Sequence, residues 1–498
     1  MTKTVNSGLL FVKGGHFFAD CSSKFVFTCC KRVTKPFAAA NYSTMRHIVI
    51  LGNGIAGITA ARELRKRTDN AITVISAETP HFFSRTALMY VYMGHMEYHH
   101  IKPYEDWFWA KNRIDLVQNT VQSVDFANKL LSYADGQTLT YDVLILAVGS
   151  APNMAGWPGQ DLRGIQGLYG KPDLDRMEAD TKGITHAAVV GGGLIGIELC
   201  EMMYSRGIQV SFLVREKTFW NTVLPAEESA MVTRHIRAHH IDLRTETELA
   251  EFQDDGTGRV GALLTKAGKT IPVQFAGVSI GVHPNINMLK GTALETDRGI
   301  LVNPFLETNL PDVYAIGDCV QHRMPPAGRK PLEQIWYTGR IMGETVAQTI
   351  TGTPTIYKPG VFFNSAKFFD IEYQTYGNVP AFLPDRADGP LGSEESFYWQ
   401  HDTKNIALRI NYRSTDHAVT GMNVLGMRQR QTVWQDWIAG SQTIRHVMEH
   451  LPEANFDPEF SKQYERDILN HYNRHHPDQP AALLKAKKGL FGKLLQRR

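Results

Sequence analysis

Residues Arg46–Glu78 read RHIVILGNGIAGITAARELRKRTDNAITVISAE, a pattern that predicts a strand, a glycine turn, a helix and a second strand. The apolar run Ile48–Leu51 is too short for a helix and is typical of a buried parallel strand. Ile72–Ile75 repeats that pattern after the helix. The stretch is therefore expected to be a β-α-β unit of an α/β fold.

The turn of this unit has the spacing G-x-G-x-x-G. Gly52 permits the tight turn, Gly54 lets a pyrophosphate approach the backbone, and Gly57 lets the helix pack against the strand. The helix then offers its free N–H groups and the positive end of its dipole to the phosphates, at positions that include Ile55 and Ala56. Because the glycines lie between a strand and a helix, an ordinary glycine turn is the less favoured interpretation.

An acidic residue and a second glycine turn strengthen this interpretation. Glu78 lies 21 residues beyond Gly57, where a carboxylate can accept both hydroxyls of an adenosine ribose. The chain contains a near-repeat of the whole unit, whose glycine turn lies 139 residues after the first turn. It consists of the strand Ala187–Val190, the turn Gly191–Gly196 with the sequence GGGLIG, the helix Ile197–Tyr204 and the strand Val210–Val214. Two such fingerprints in one chain predict two dinucleotide-binding domains.

Length and charge limit the class of protein. A chain of 498 residues is too long for one core, so about two to four domains are expected. Residues 1–44 carry six Lys/Arg against one acid and residues 479–498 carry six against none, so the net charge of +3 leaves about −8 for the body. That balance excludes an ordinary nucleic-acid binder. No apolar run approaches the roughly 18 residues of a membrane span.

Residues 1–44 precede Met45, which opens directly onto the first strand, and they are expected to be an unstructured extension. Three origins stay open for them. Met45 is favoured as the true start, which makes the upstream residues a start-site artefact. A basic, acid-poor transit segment is the second alternative. A secretory signal is the least favoured, because Leu9–Val12 is too short an apolar core.

Several elements are expected outside the two glycine-turn units. Leu144–Val148 reads as another buried strand, closed by a glycine. A helix is expected from about Glu333 to Thr349. Near the C-terminus, Ile406–Tyr412 alternates as a half-buried strand and is expected to pair with Val419–Val424.

These landmarks, in this order, resemble the FAD- and NAD(P)H-dependent pyridine nucleotide-disulfide oxidoreductase superfamily. The resemblance runs from Arg46 to about Thr349 and, more weakly, through the following domain. It is strongest for the non-disulfide branch, the ferredoxin, rubredoxin and nitrite reductase-type flavoprotein reductases. It implies an α/β fold of two Rossmann-like, three-layer dinucleotide-binding domains with a C-terminal α+β domain.

The resemblance also implies a domain order. The FAD-binding domain is expected in two parts, with the NAD(P)H-binding domain inserted between them and an interface domain after them. The expected boundaries are 45–155 and 286–353 for the FAD-binding domain, 156–285 for the NAD(P)H-binding domain, 354–478 for the C-terminal α+β domain and 479–498 for a basic tail.

In that family the first fingerprint takes FAD, here on Gly52, Gly54 and Gly57 with Glu78. The strand that ends in Ala147-Val148-Gly149 resembles the family's A-T-G segment near the FAD. Val148 replaces the usual threonine, so one side-chain hydrogen bond is lost.

Two further residues are implied as FAD contacts. The run Thr308–Asp318 resembles the second FAD motif, in which the aspartate hydrogen-bonds the ribityl chain; Asp318, after Gly317, takes that position here. Arg85 lies in a segment that resembles the FAD loop after the second strand and is a candidate flavin or pyrophosphate contact. A solvated surface arginine is the alternative for Arg85.

The second fingerprint takes NAD(P)H in the family, here on Gly191, Gly193, Ile195 and Gly196. Glu198 stands where the family's glutamate meets the nicotinamide end. At the end of the second strand, Arg215 follows Val214 in place of the glutamate that would favour NADH. Arg215 can accommodate the 2′-phosphate of NADPH or can be a surface charge. NADH and NADPH therefore both stay open as co-substrate.

The chain departs from the family in its cysteines. Disulfide reductases of the superfamily carry C-x4-C on the helix after the first nucleotide unit, and Phe83–Gly94 contains no cysteine here. The single-cysteine peroxidase and coenzyme A disulfide branches would also need one there. Cys200 and Cys319 are expected to be small core residues. Disulfide reduction is therefore disfavoured, because no thiolate is available to relay electrons.

The resemblance implies an FAD-dependent NAD(P)H oxidoreductase in which the cofactors carry the chemistry and no catalytic side chain is required. The electrons are expected to pass directly to an external acceptor, with a ferredoxin- or rubredoxin-like protein as first choice. A quinone at the membrane surface, oxygen, nitrite, and a slow flavoprotein with a binding or signalling role are the alternatives. The protein is expected to be cytoplasmic and homodimeric.

Several histidines and the basic tail are further candidates for metal or membrane sites. His471, His475 and His476 have helical spacing but no acid cluster, so a solvated helix end is favoured and no metal site is predicted. His99-His100 and His239-His240 are interpreted as surface pairs. Apolar residues of the basic tail can line one side of a membrane-surface helix, but a disordered tail is favoured because glycines weaken that helix.

Overall fold

The computed structural model describes residues 45–382, 393–457 and 459–484 of the 498-residue chain. The expectations for residues 1–44 and for the basic tail beyond residue 484 lie outside the described residues. The predicted boundaries of the domains remain predictions. In the described part of the chain, no helix has both the length and the apolar character needed to cross a membrane.

The first glycine-turn unit belongs to a parallel five-stranded sheet. Its central strand is apolar and buried from Ile48 to Leu51, as expected for a strand covered on both faces. In spatial order the strands are Val313–Ala315, Val143–Leu146, His47–Leu51, Ala71–Ser76 and Ile114–Gln118. The chain therefore leaves this sheet after its fourth strand and returns much later to add the edge strand.

Two helices pack on each other above this sheet, Ile55–Arg65 and Trp336–Ile350. A Cβ atom at Gly343 would lie 2.6 Å from the carbonyl oxygen of Ala56, so glycine is required for this close approach. The second of these helices begins at Trp336 and not at the predicted Glu333. Glu333 lies in the preceding loop, where Arg329 holds its carboxylate at 2.5 Å, and the extended Ile335 is the N-cap residue of the helix.

The second glycine-turn unit forms another parallel five-stranded sheet. In spatial order its strands are Asp242–Arg244, Gln209–Leu213, His186–Val190, Phe275–Val278 and Ile165–Gln166. The α-helices of this unit are Lys171–Asp180, Leu194–Ser205 and Ala226–Ala238. The helix after the turn begins at Leu194 and not at the predicted Ile197, because Gly193 is already its extended N-cap residue.

Short strands and helices complete these two units. Antiparallel sheets are formed by Val121–Asp125, Leu130–Tyr133 and Thr138–Thr140, and by Leu249–Asp254, Val260–Thr265 and Thr270–Pro272. Two-stranded pairs are formed by Ser150–Pro152 with Val282–Pro284 and by Ile300–Val302 with Val320–His322. The short α-helices are Leu88–Tyr92 and Trp107–Lys111.

The C-terminal part is an antiparallel five-stranded sheet with helices against it. The predicted pairing of the strands near residues 406–412 and 419–424 is confirmed. In spatial order the strands are Phe363–Phe368, Ile371–Gly377, Val419–Leu425, Ala407–Arg413 and Glu394–Gln400. The α-helices are Gln431–Ala439, Ile444–His450 and Glu465–His475. The fold class predicted from the sequence, α/β with an additional α+β domain, is confirmed.

Buried charges join this C-terminal sheet to the second glycine-turn unit. Arg409 on the sheet donates hydrogen bonds to Glu228 at 3.0 Å and to Glu227 at 2.7 Å on the helix Ala226–Ala238. Asn423 donates to the second oxygen of Glu228 at 3.1 Å, and Glu228 is fully buried. Removal of one partner would leave a buried charge uncompensated, which is strongly destabilising.

Candidate functional site

The two glycine turns have nearly the same backbone. Gly52 has a φ of 119° and Gly191 a φ of 117°, values in the region that only glycine adopts readily. A Cβ atom at Gly52 would lie 2.1 Å from the carbonyl oxygen of Ala147, and one at Gly191 would lie 2.3 Å from that of Ser279. Each first glycine is therefore required both by its dihedral angle and by the neighbouring strand.

The other glycines of the turns differ in their surroundings. A Cβ atom at Gly57 would lie 2.0 Å from the oxygen of Gly52, and one at Gly196 would lie 2.2 Å from the oxygen of Gly191. These two glycines permit the packing of helix on turn. In contrast, no atom of the described residues lies within 4 Å of a Cβ placed at Gly54 or at Gly193. The start of each helix therefore faces open space, where a phosphate can approach the free N–H groups.

A cavity of ≈ 990 Å³ opens in front of the first turn. The second turn contributes to its wall through Ile195 and Glu198. The structure brings together in this wall the predicted site residues Gly52, Gly54, Ile55, Ala56, Glu78, Arg85, Ala147, Gly149, Gly317, Asp318, Ile195 and Glu198. It does not place Gly57, Gly191, Gly193, Gly196 or Arg215 in the wall.

Glu78 and Arg85 form a two-pronged ion pair inside the cavity. Arg85 donates from Nη2 to Oε2 of Glu78 at 2.6 Å and from Nη1 to Oε1 at 3.1 Å. Its guanidinium also lies over the ring of Tyr169, 4.5 Å from the centroid. The Arg85 side chain is 26% exposed, so the alternative of a solvated surface arginine is wrong.

The helix Lys171–Asp180 begins at this ion pair. The backbone N–H of Lys171 donates to Oε1 of Glu78 at 2.6 Å, so the positive end of the helix dipole meets a carboxylate. A Cβ atom at Gly170 would lie 2.5 Å from the same oxygen. The Glu78 carboxylate is thus oriented by two neighbours inside the cavity, and its contact with a ribose stays a prediction.

Asp318 lies on the other side of the cavity. Its carboxylate accepts a hydrogen bond from Oγ of Ser150 at 3.3 Å, and Nε2 of Gln334 donates to the same hydroxyl at 2.7 Å. Protein encloses Asp318 although part of its surface faces the cavity. Burial raises the pKa of Asp318 to about 6, against the opposing effects of the Ser150 hydrogen bond and the charge of Arg85. The Asp318 carboxyl group is therefore more stable with a hydrogen-bonding partner than as an unpaired charge.

Glu198 is the charged residue that the second turn brings to the cavity. Burial raises its pKa to about 7, and the neighbouring charge of Glu201 acts in the same direction. Some of the surface of Glu198 faces the cavity, while protein surrounds the rest. A carboxyl group that titrates near neutral pH in a cavity is a candidate functional group.

Both body cysteines are free and buried, as expected for small core residues. Burial raises the pKa of Cys319 to about 12 and that of Cys200 well above its ordinary value. A thiolate is therefore disfavoured at both positions.

Arg215 lies at the surface, which was one of its two open alternatives, whereas His239 lies in surroundings that the sequence did not indicate. Arg215 is 76% exposed and its Nε lies 2.8 Å from Oε1 of Glu216, so an acidic neighbour already occupies it. The interpretation of His239-His240 as a surface pair is wrong for His239, which is half-buried against the ring of Phe369 at 4.3 Å. Both residues of the His99-His100 pair are exposed, as expected.

Sequence reasoning missed Tyr169, Ser150 and Gln334 as cavity residues. Tyr169 accepts from the backbone N–H of Ser150 at 2.8 Å through its hydroxyl and so fixes the wall near Asp318. The sequence does contain a signal for the helix start next to Tyr169. Asp173 accepts from the N–H groups of Tyr169 and Gly170 at 2.9 and 3.0 Å, and an acid at the third helical position after a proline indicates a helix start.

Comparison with known proteins identifies the family. The family described as "Pyridine nucleotide-disulphide oxidoreductase" matches residues 46–343. The chain belongs to this family. The protein is therefore an oxidoreductase, as its sequence predicted, and membership implies FAD and NAD(P)H as its cofactor and co-substrate.

Two curated relatives have similar sequences. The "5,5'-dehydrodivanillate O-demethylase ferredoxin reductase subunit" of Sphingobium sp. (strain NBRC 103272 / SYK-6) is 30% identical over 333 residues, which cover 66% of this chain and 81% of that protein. The "Nitrite reductase [NAD(P)H]" of Bacillus subtilis (strain 168) is 31% identical over 282 residues, 56% of this chain. The match spans only 35% of the length of that nitrite reductase.

Solved structures share the fold. The ferredoxin reductase for the CYP199A2 system from Rhodopseudomonas palustris superposes with a TM-score of 0.71 at 21% identity, covering 85% of this chain and 99% of that chain. The NADH:rubredoxin oxidoreductase from Clostridium acetobutylicum superposes with a TM-score of 0.61 at 22% identity, covering 80% of this chain and 96% of that chain.

The residues that line the cavity in front of the first turn fit FAD. Its volume, ≈ 990 Å³, lies at the upper end of the range of small-molecule sites, as a dinucleotide requires. The open space at Gly54 leaves the helix start free for a pyrophosphate. Carboxylates lie both beside the turn, at Glu78, and across the cavity, at Asp318, where they can accept hydroxyl hydrogen bonds.

Proposed function

We propose that this protein is an FAD-dependent NAD(P)H oxidoreductase that passes electrons directly to a small iron–sulfur or rubredoxin-like protein, without a redox-active disulfide. The observation that carries the proposal is the wall of the ≈ 990 Å³ cavity, to which both glycine turns contribute. FAD supplies the chemistry when bound, because it accepts a hydride and releases electrons one at a time.

The residues of the first turn bind and orient the cofactor in this proposal. The backbone N–H groups at Gly54, Ile55 and Ala56 hold the pyrophosphate, and Glu78 holds the adenosine ribose. Arg85 keeps the Glu78 carboxylate in one orientation through its two hydrogen bonds. Asp318 accepts a hydrogen bond from the ribityl chain across the cavity.

The residues of the second turn position the co-substrate. Gly191, Gly193 and Gly196 shape the turn that receives the pyrophosphate of NADH or NADPH, and Ile195 and Glu198 reach the cavity where the two ligands would meet. Trp336 and Phe82 also line the cavity, and their tilted rings lie 6.0 Å apart. In this proposal these apolar side chains help to exclude water from the bound flavin.

The sulfur content supports direct transfer to an external acceptor. Phe83–Gly94 contains no cysteine, and the two cysteines of the described residues are buried with raised pKa values. The names of similar proteins support an iron–sulfur acceptor, since they include ferredoxin reductases and an NADH:rubredoxin oxidoreductase. Cytoplasmic location and dimerisation through the C-terminal sheet stay predictions.

The test is an acceptor panel on the purified holoprotein after anaerobic reduction with NADH or NADPH. Flavin reoxidation is followed by absorbance with a [2Fe–2S] ferredoxin, rubredoxin, a quinone, oxygen, nitrite and glutathione disulfide. We expect one of the two iron proteins to reoxidise the flavin at least about 10-fold faster than any other acceptor. The double variant Cys200→Ala/Cys319→Ala is the control and should keep that rate. Fastest reoxidation by the disulfide, or loss of the rate in the cysteine variant, would contradict the proposal.

A further inference from the structure

Three potential metal ligands converge at the contact between the second glycine-turn unit and the C-terminal sheet. His235 and His239 lie one turn apart at the end of the helix Ala226–Ala238, and Asp370 lies in the hairpin turn between the strands Phe363–Phe368 and Ile371–Gly377. One ligand atom from each lies within 4.8 Å of the other two. They come from two different parts of the chain and face one point.

The separations of these atoms suit a small cation. Nε2 of His235 lies 2.5 Å and Nε2 of His239 lies 3.8 Å from Oδ1 of Asp370. A tetrahedral zinc ion with bonds of about 2.0–2.1 Å holds its ligand atoms about 3.3 Å apart, a value between these two distances. For all three atoms to coordinate one ion, the 2.5 Å contact would have to open and the 3.8 Å contact would have to close.

Nε2 of His235 makes a close contact with Oδ1 of Asp370 at 2.5 Å. That nitrogen is buried, and no well-oriented hydrogen bond satisfies it among the described residues. The side chain of His235 is only 6% exposed, so water does not readily become its partner. An ion between the two side chains would require this contact to open to about 3.3 Å.

The opposite ring nitrogens are held as metal-binding histidines usually are. Nδ1 of His239 lies 3.0 Å from the carbonyl oxygen of His235, which can only accept, so Nδ1 carries the proton and Nε2 presents its lone pair. Nδ1 of His235 lies 2.9 Å from the side-chain amide of Asn405. A half-turn of that amide offers its oxygen to Nδ1–H and frees Nε2 of His235 as a ligand.

The accessibility of the cluster also suits a cation. Asp370 is 77% exposed, which leaves a path from solvent and room for a water molecule as fourth ligand. His239 is fixed from its other side by stacking on Phe369, the residue before Asp370 in the hairpin turn.

We propose that His235, His239 and Asp370 form a binding site for a divalent transition-metal cation, with zinc as the preferred ion by its N₂O donor set, that joins the helix Ala226–Ala238 to the C-terminal sheet. The site is structural: it lies outside the wall of the cavity and requires no change at the flavin. It adds a metal link to the junction that already contains the Arg409–Glu228 pair.

The test uses the full-length, tag-free holoprotein after removal of metals by a chelator. Zinc binding is measured by calorimetry and Co²⁺ binding by its visible absorption, which distinguishes tetrahedral coordination. We expect one zinc ion per chain and affinity reduced by at least about 30-fold in Asp370→Asn and in His239→Gln. Asp370 is largely exposed, so Asp370→Asn should fold normally.

A matched control is present in the same chain. His446 and His450 are also one helical turn apart, and Nδ1 of His450 lies 2.8 Å from the carbonyl oxygen of His446, but no third ligand in the described residues joins them. His450→Gln should therefore keep wild-type zinc affinity. Zinc should also raise the unfolding temperature of the wild type and not that of Asp370→Asn. Absence of zinc binding, or equal affinity in wild type and Asp370→Asn, would overturn the proposal.

Discussion

The two glycine turns have the same backbone and different surroundings. Their first glycines differ by 2° in φ, and their third glycines permit the same close approach of helix to turn. The first turn opens on the ≈ 990 Å³ cavity with carboxylates at Glu78 and Asp318. After the second turn, the charged residue at the expected 2′-phosphate position, Arg215, is mostly exposed. Under the proposed function each turn binds a dinucleotide, and the surroundings of the turn determine how long that ligand stays bound.

This difference matches the roles in the proposed function. A cofactor that remains bound through many turnovers needs an enclosed site with partners at both ends. A co-substrate that binds and leaves at each turnover needs a site that opens to solvent. Of the second turn's predicted residues, only Ile195 and Glu198 line the shared cavity. Under the proposed function, the flavin and the nicotinamide co-substrate therefore meet only at their reacting ends.

The largest expected effect comes from filling the open space at each turn. Gly54 and Gly193 have φ values of −68° and −105°, which valine adopts, and their Cβ positions are free of neighbours among the described residues. Gly54→Val should weaken FAD binding about 100-fold, because the side chain displaces the pyrophosphate from the helix N–H groups. Gly193→Val should keep its flavin and raise KM for the nicotinamide co-substrate about 100-fold.

Flavin absorbance of the purified variants and stopped-flow reduction measure these two effects. The two variants serve as controls for each other, since both add the same side chain at equivalent positions. Chemical reduction by dithionite should bleach the flavin of Gly193→Val at the wild-type rate. A colourless Gly193→Val protein, or a fully flavin-loaded Gly54→Val protein, would show that the assignment of the turns is wrong.

The sequence was sufficient to predict both turns, because the glycines are required by the local conformation of the chain. Gly52 and Gly191 are required by a backbone angle, and the strand and helix on either side are visible as an apolar run and a 3.6-residue period. The buried strands near 406–412 and 419–424 were predicted for the same reason. Local sequence patterns of this kind predict most of the fold.

The walls of the cavity could not be predicted in the same way. Tyr169 and Gln334 reach the site from segments far from either turn, and only tertiary packing brings them there. The Glu78–Arg85 pair was anticipated as two separate ligand contacts, but the two side chains bind each other. The start of the helix at Trp336 was missed because the extended conformation of its N-cap residue, Ile335, is not visible in the local sequence pattern.

A smaller effect is expected from Glu198 and is visible as a pH dependence. Its pKa is raised to about 7, so it is mostly protonated at pH 6 and mostly ionised at pH 8. An ionised carboxylate stabilises the positive charge that develops on the nicotinamide ring as hydride leaves. The rate of flavin reduction should therefore rise about 10-fold between pH 6 and pH 8.

Stopped-flow reduction across this pH range measures the effect, with Glu198→Gln as the test variant. Its reduction rate should be nearly independent of pH in the same range. Glu201→Gln is a suitable comparison variant for this pH profile. The charge of Glu201 contributes to the raised pKa of Glu198, and Glu201 is itself paired with Lys367 at 2.6 Å. An unchanged pH profile in Glu198→Gln would remove this residue from the reacting end of the site.

The smallest effect is expected at Arg215, where the second turn is most open. Exposed charge-assisted contacts contribute about 1 kcal/mol, so Arg215→Ala should lower kcat/KM for NADPH about 5-fold and leave that for NADH within about 2-fold. Glu216→Gln should act in the opposite direction on NADPH, because it frees Arg215 from its present partner. Equal losses for both co-substrates in Arg215→Ala would exclude Arg215 from recognition of the 2′-phosphate.

The packing of Trp336–Ile350 on Ile55–Arg65 also has a consequence for biogenesis. The two helices begin roughly 280 residues apart, yet the second supplies Trp336 and Gly339 to the cavity of the first turn. On the ribosome, the first fingerprint emerges early but its cavity stays incomplete until the second helix has been translated. A nascent chain that ends before Trp336 therefore carries an intact fingerprint but an incomplete cavity wall, and under the proposed function it is expected to hold flavin less tightly than the full chain.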